Sequence, residues 1–332
     1  MSSMKTNRTG SVVAFIASGI LIVLAVLLFV NRQHILDQLS VWSYTPSSSV
    51  QAIEEKVGFT EKGTFIFYAT HPTVDTSTNF NSSCPRQETM SPILGCYVND
   101  RVYIFNITNS QLDGMEEVTA AHEMLHAVWA RMGVDERQKL GSELESAYKK
   151  INDSDLKSRM EYYERTEPGE FTNELHSILG TEIASLGEPL ESYYRQYFNR
   201  QTVLSLHAQY NTVYKDLNKQ VDDLFNKMES LSASIEQSSG QYDAQSKQLA
   251  DDINTFNTRA NNGGFASQSQ FNQERSRLEA RSANLETQRQ VINANIEQYN
   301  LYYTQYEAIA KQIEVLNNSI DSFKQIEAAP AV

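Results

Sequence analysis

The chain has 332 residues, of which 40% are hydrophobic and 21% charged, enough apolar side chain for a packed core and enough length for two domains. With 28 Lys and Arg against 41 Asp and Glu, the net charge is -13. No basic stripe is present, so nucleic acid is excluded as an expected partner.

In chain order, residues 1–11 read as a short cytoplasmic tail. Val12 to Val30 contains no charge and no Pro, and about 19 apolar residues at 1.5 Å rise suffice for one transmembrane helix at 12–30. The run is too long for a signal peptide and lacks a small-residue cleavage pattern. Lys5 and Arg8 precede it, which predicts a cytoplasmic N-terminus and an extracytoplasmic remainder, a single-pass protein of the cell membrane. Residues 31–50 read as a linker region, in which Asn31 to Trp42 is expected to continue as helix and Tyr44 to Val50, with one Pro and three Ser, to be the linker proper. Residues 51–200 have the composition of a globular α+β domain. Thr64 to Ala69 and Arg101 to Ile107 are rich in β-branched and aromatic residues and predict strands. Between them, Cys84 and Cys96 lie in one turn-rich stretch, a pair suited to a disulfide in an oxidising compartment. Helices are predicted over Met115 to Met132, Asp135 to Lys150 and Glu170 to Leu186.

Residues 201–325 change character. Val213, Leu217, Val221, Leu224, Met228, Leu231 and Ile235 follow at steps of four and three. After the break at Asn261 to Ser269, a heptad stripe runs through Leu278, Leu285, Ile292, Tyr299, Tyr306, Ile313 and Ile320. Two such helices joined by a Gly-containing loop predict a long antiparallel coiled-coil hairpin. Arg281, Gln288 and Asn295 interrupt its seam, so the hairpin is expected to pack loosely or to engage a protein partner or a second copy of itself. A flexible tail occupies 326–332.

The chemistry concentrates in His122-Glu123-Met124-Leu125-His126. Histidines four residues apart share one helix face and can chelate one metal ion. Glu123 sits beside the first of them, where a carboxylate can act as general base. With Thr119 upstream, uncharged Met124 and Leu125 inside and apolar Ala127 and Val128 after it, this segment resembles the HExxH zincin metallopeptidases. The metzincin third histidine is absent, and the gluzincin type instead uses a downstream Glu. Glu174, in Phe171-Thr-Asn-Glu174, resembles the anthrax-lethal-factor-like and thermolysin-like patterns; Glu182 and His176 are the rivals for third ligand.

The resemblance implies an α+β zincin-like catalytic domain with one Zn²⁺ per chain, held by His122, His126 and Glu174. It implies an endopeptidase that hydrolyses a protein or peptide substrate by zinc-activated water, with Glu123 as general base. The strand beside the motif helix would hold the substrate backbone, a role that suits Arg101 to Ile107. Tyr163 is the chosen donor for the developing oxyanion, with Tyr162 and His176 as alternatives. The competing reading is a catalytically inactive, membrane-tethered coiled-coil scaffold or binding protein of the cell envelope.

Overall fold

In the computed structural model, residues 8–84 and 92–324 are described. The expected tails at 1–11 and 326–332 lie wholly or partly outside the described residues, as does most of the loop between the cysteines. Twelve α-helices and one small three-stranded sheet make up the described chain, and helix accounts for 78% of it. This corrects the expected α+β class. The chain divides into two compact units, one of residues 1–213 and 316–332, the other of residues 214–315.

The first unit begins with α1 (Arg8–Val30) and α2 (Arg32–Ser43). Ile16–Val30 and Arg32–Ser43 are bent from each other by 66° at a break between them. Among the described residues, no single helix is long and apolar enough to cross a membrane; only this bent pair meets the requirement, by length and composition. That corrects the expected span at 12–30. At that break the apolar run gives way to a polar helix. Polar α2 then turns away instead of prolonging it.

The segment read as a linker region carries α2 and the start of α3 (Ser48–Val57). Asp37 on α2 is buried and receives two hydrogen bonds from Arg131, Nη2 to Oδ1 at 2.7 Å and Nε to Oδ2 at 2.9 Å. The Ser40 hydroxyl donates to Ala69 O at 2.8 Å, the Tyr44 hydroxyl reaches Pro72 O at 2.6 Å, and Val50 is fully buried. Because both members of the Asp37–Arg131 pair are nearly inaccessible (8% and 11% exposed side chains), Asp37→Ala strands a buried guanidinium. It is expected to lower the unfolding free energy by about 3–5 kcal/mol, read as a lower urea midpoint at unchanged slope.

Thr64 to Ala69 is not a strand. It lies in α4 (Glu61–Ala69), whose N-cap Thr60 accepts from Gly63 N. Its buried residues Gly63, Ile66 and Phe67 fall at helical spacing, so the cap and the packed face override the β-propensity of the run. Gly63 permits the packing: a Cβ there would lie 1.9 Å from Tyr197 O.

The sheet comprises β1 (Thr73–Asp75), β2 (Gly95–Val98) and β3 (Arg101–Phe105) in the order β1-β3-β2, β1 parallel and β2 antiparallel to β3. The short helix α5 (Ser77–Ser83) leads into Cys84, which forms a disulfide with Cys96 on β2, Cα to Cα 5.9 Å. Next come α6 (Met115–Arg131), α7 (Val134–Tyr148), α8 (Ser154–Thr166), α9 (Phe171–Glu182) and α10 (Glu188–Tyr194). The core gathers around α6 and α9, with Ala121, Met124, Leu125, Leu175 and Leu179 fully excluded from solvent.

Two long helices follow, α11 (Arg200–Asn261) and α12 (Gln268–Ile320). In the first unit, buried Arg200 at the start of α11 donates to Glu191 at 2.6 Å and to the carbonyls of Leu179 and Ile183 that end α9. At the far end of α12, Leu316 is fully buried, and Ser322 just beyond donates to Asn81 Oδ1 at 2.6 Å.

The second unit is the antiparallel hairpin. Two of the polar seam residues find partners on the opposite helix, Arg281 with Asp252 at 2.5 Å and Gln288 with Gln245 at 3.2 Å. The turn is closed by Phe256, Phe265 and Phe271, with centroids 5.1 to 5.3 Å apart, and by Arg259 paired to Glu274 at 2.6 Å.

Candidate metal centre

Helix α6 presents His122 and His126 on one face, their ring centroids 4.8 Å apart and edge to face. Helix α9 packs across that face, and the first turn of α9 carries Glu174. A carboxylate suits this position, since the helix dipole favours negative charge near its N-terminus. The Glu174 oxygens lie 3.7 Å from His122 Nε2 and 3.4 Å from His126 Nε2. The three residues form a group that could hold a metal ion, their ligand atoms all within 4.8 Å of one another. Ligands bound at about 2.0–2.1 Å in a tetrahedron stand about 3.3 Å apart, so the spacing fits one small ion shared by the three.

Of the rivals for third ligand, neither joins this group. Glu182 is held in a two-point pair by Arg159, at 2.6 and 3.1 Å, and lies 3.5 Å from His207 Nε2. His176 is fully buried, its Nε2 2.8 Å from the Tyr193 hydroxyl and its ring stacked on Tyr194. Burial, together with the nearby His126 and His122, pushes its pKa well below the usual imidazole range.

Asn173, the neighbour of Glu174, completes the surroundings. Its Oδ1 is 3.0 Å from His126 Nδ1, and its Nδ2 donates to Glu170 Oε2 at 2.8 Å. The amide nitrogen is thus committed to Glu170, the amide oxygen must accept, and His126 carries its proton on Nδ1. Nε2 then keeps its lone pair, available to a metal ion shared with Glu174, the arrangement by which a neighbouring residue fixes a ligand's tautomer.

Glu123 lies on the same helix, buried at 6% exposure. Burial pushes its carboxyl above the usual range, against the pull of His126 and His122. For Glu174, burial also raises the pKa, but the nearby His126 and His122 outweigh it and the net shift is down. His122 shifts up: burial opposes its charge, while Glu174 and Glu123 favour it more.

Strand β2 faces this helix. The Phe105 N to Leu94 O bond sets the register, so the alternation of an antiparallel ladder turns the backbone groups of Gly95 and Tyr97 away from β3. The Tyr97 backbone amide lies close enough to Glu123 to lower its pKa slightly. At Gly95 a Cβ would lie 2.6 Å from Thr119 Cγ2 and 2.8 Å from Glu123 Cγ, so only glycine lets the strand approach so closely. β3, expected beside the motif helix as the substrate strand, is instead the central strand, paired on both sides. The free edge nearest Glu123 belongs to β2.

Tyr163 on α8 packs against the core. Burial raises its pKa, as do the charges of Glu174 and Glu123, so its hydroxyl keeps its proton beside them.

Gly95 and Tyr97 were not singled out from the sequence, and Asn173 entered only with Glu174, in the thermolysin-like pattern. Asn173 adjoins a candidate ligand, which was the one available signal; Gly95 and Tyr97 had none, because their roles depend on which strand forms the free edge. Compared with models of known protein families, with curated proteins and with solved structures, the chain gives no match in any of the three.

Proposed function

We propose that the protein is a zinc-dependent endopeptidase. The observation that carries the reading is the convergence of His122 and His126 with Glu174, beside a buried carboxylate, Glu123, that is not one of the three. Two imidazoles and one carboxylate, with a position left for water, are the donor set of a catalytic rather than a structural zinc site. When bound, zinc supplies a Lewis acid that makes water acidic and polarises the scissile carbonyl.

The chain's own residues supply the rest. Glu123, beside the Tyr97 amide, takes a proton onto its carboxylate and passes it to the leaving amine. The Tyr163 hydroxyl donates to the oxygen on which negative charge develops. The outward backbone groups of Gly95 on the β2 edge accept an extended peptide as an added strand. The Cys84–Cys96 disulfide supports a compartment outside the reducing cytosol.

The test is zinc per chain by elemental analysis, together with hydrolysis of labelled casein, on the wild type and His126→Ala. About one zinc and measurable cleavage are expected in the parent, with both lost in the variant. A parent that takes up no zinc even after reconstitution overturns the reading.

A further inference from the structure

Strand β2 is short, is paired only to β3, and yet carries the glycine that lies against Glu123 and, two residues on, the Tyr97 amide beside it. Four residues bonded along one side make a marginal strand. Its turn end is tethered by the Tyr97 hydroxyl, which donates to Asp100 at 2.7 Å and accepts from Arg131 Nη1 at 3.3 Å. Its other end is tethered by Cys96. We propose that the Cys84–Cys96 disulfide is the positioning device for Glu123, holding β2 against α6 so that the Tyr97 amide and the bare backbone of Gly95 stay in place.

Cys96 lies between those two residues. Alternation along the strand sends its side chain to the opposite face, into the small cluster of Phe80, Phe105 and Cys84. Cys84 is fully buried just after α5. That helix is a fixed post: Phe80 packs on Phe105 of β3 at 5.5 Å, and Asn81 is bonded twice to Ser322, at 2.6 and 3.2 Å. The bridge therefore ties the outer strand of the sheet to a helix that is also anchored through Ser322. None of the three metal ligands lies on β2 or α5, so the bridge acts on Glu123 and not on metal binding. The catalytic consequence rests on the endopeptidase reading; the tethering of β2 does not.

The test compares the wild type with Cys84→Ala/Cys96→Ala. Hydrogen exchange at the Tyr97 amide, measured on metal-free protein, is expected to speed up at least tenfold in the variant. Zinc per chain stays as in the parent. Casein turnover falls about 100-fold in kcat with KM changed by less than about threefold, since a misplacement near 1 Å is enough for that loss. Unchanged exchange at Tyr97 overturns the proposal, whatever the activity. Faster exchange in a protein whose parent is inactive upholds the tether and removes the endopeptidase reading instead. If the double variant does not fold, Tyr97→Pro against Tyr97→Ala decides, because proline at an outward edge position removes only the N–H. Lower turnover in Tyr97→Pro supports the proposal, and equal turnover in the two overturns it.

Discussion

On the proposed endopeptidase reading, Glu123→Gln will take up zinc as the parent does and lose hydrolysis by about 1,000-fold, within the range that a positioned proton acceptor contributes. The amide has nearly the shape of the carboxylate, so it still fits against Gly95 and beside the Tyr97 amide. Neither His122, His126 nor Glu174 is altered, and metal uptake should match that of the parent. What disappears is basicity: an amide cannot hold the proton that the proposed mechanism moves from water to the leaving amine. Zinc content and casein hydrolysis measured on the same preparation separate the outcomes. Equal turnover in variant and parent would remove Glu123 as the base, and loss of zinc would make it a structural residue.

Glu174→Ala and Glu182→Ala should differ sharply in metal affinity. A four-ligand zinc site is worth about 10–16 kcal/mol, so one ligand carries roughly 3 kcal/mol, a loss of more than about 100-fold. Glu174→Ala is expected to show at least that loss in a competition titration against a chelator. Glu182→Ala frees Arg159 and His207 from their shared carboxylate, and zinc affinity should change by less than about tenfold. The reverse order would make Glu182 the third ligand. The separation is large because the two carboxylates, eight positions apart on one chain segment, have different partners: Glu174 meets two imidazole nitrogens, and Glu182 meets a guanidinium at 2.6 Å.

Local sequence was a sound guide where one helix carries the whole pattern. The spacing of His122 and His126 and the apolar positions of α6 are properties of 3.6 residues per turn, and α6 runs from Met115 to Arg131 against an expected Met115 to Met132. The heptads of the hairpin are legible for the same reason, and so is the pairing of two cysteines twelve residues apart. Local sequence misled where two readings compete. Thr64 to Ala69 has strand-forming residues, but its Thr60 cap and its burial at helical spacing made it α4. The apolar run before Val30 has the composition of a span, but the chain bends by 66° after it, and α2 is drawn to Arg131 through Asp37.

The sequence by itself determined that two imidazoles and a carboxylate share one helix, because helical spacing needs nothing from the rest of the chain. Only the tertiary structure decided which acid meets them, which strand lies open beside Glu123, and that Asn173 sets the His126 tautomer. Each of these depends on the packing of α9 and of β2 against α6. Those contacts join residues up to about fifty positions apart in the chain, and their geometry comes from the burial of the whole core rather than from any local preference.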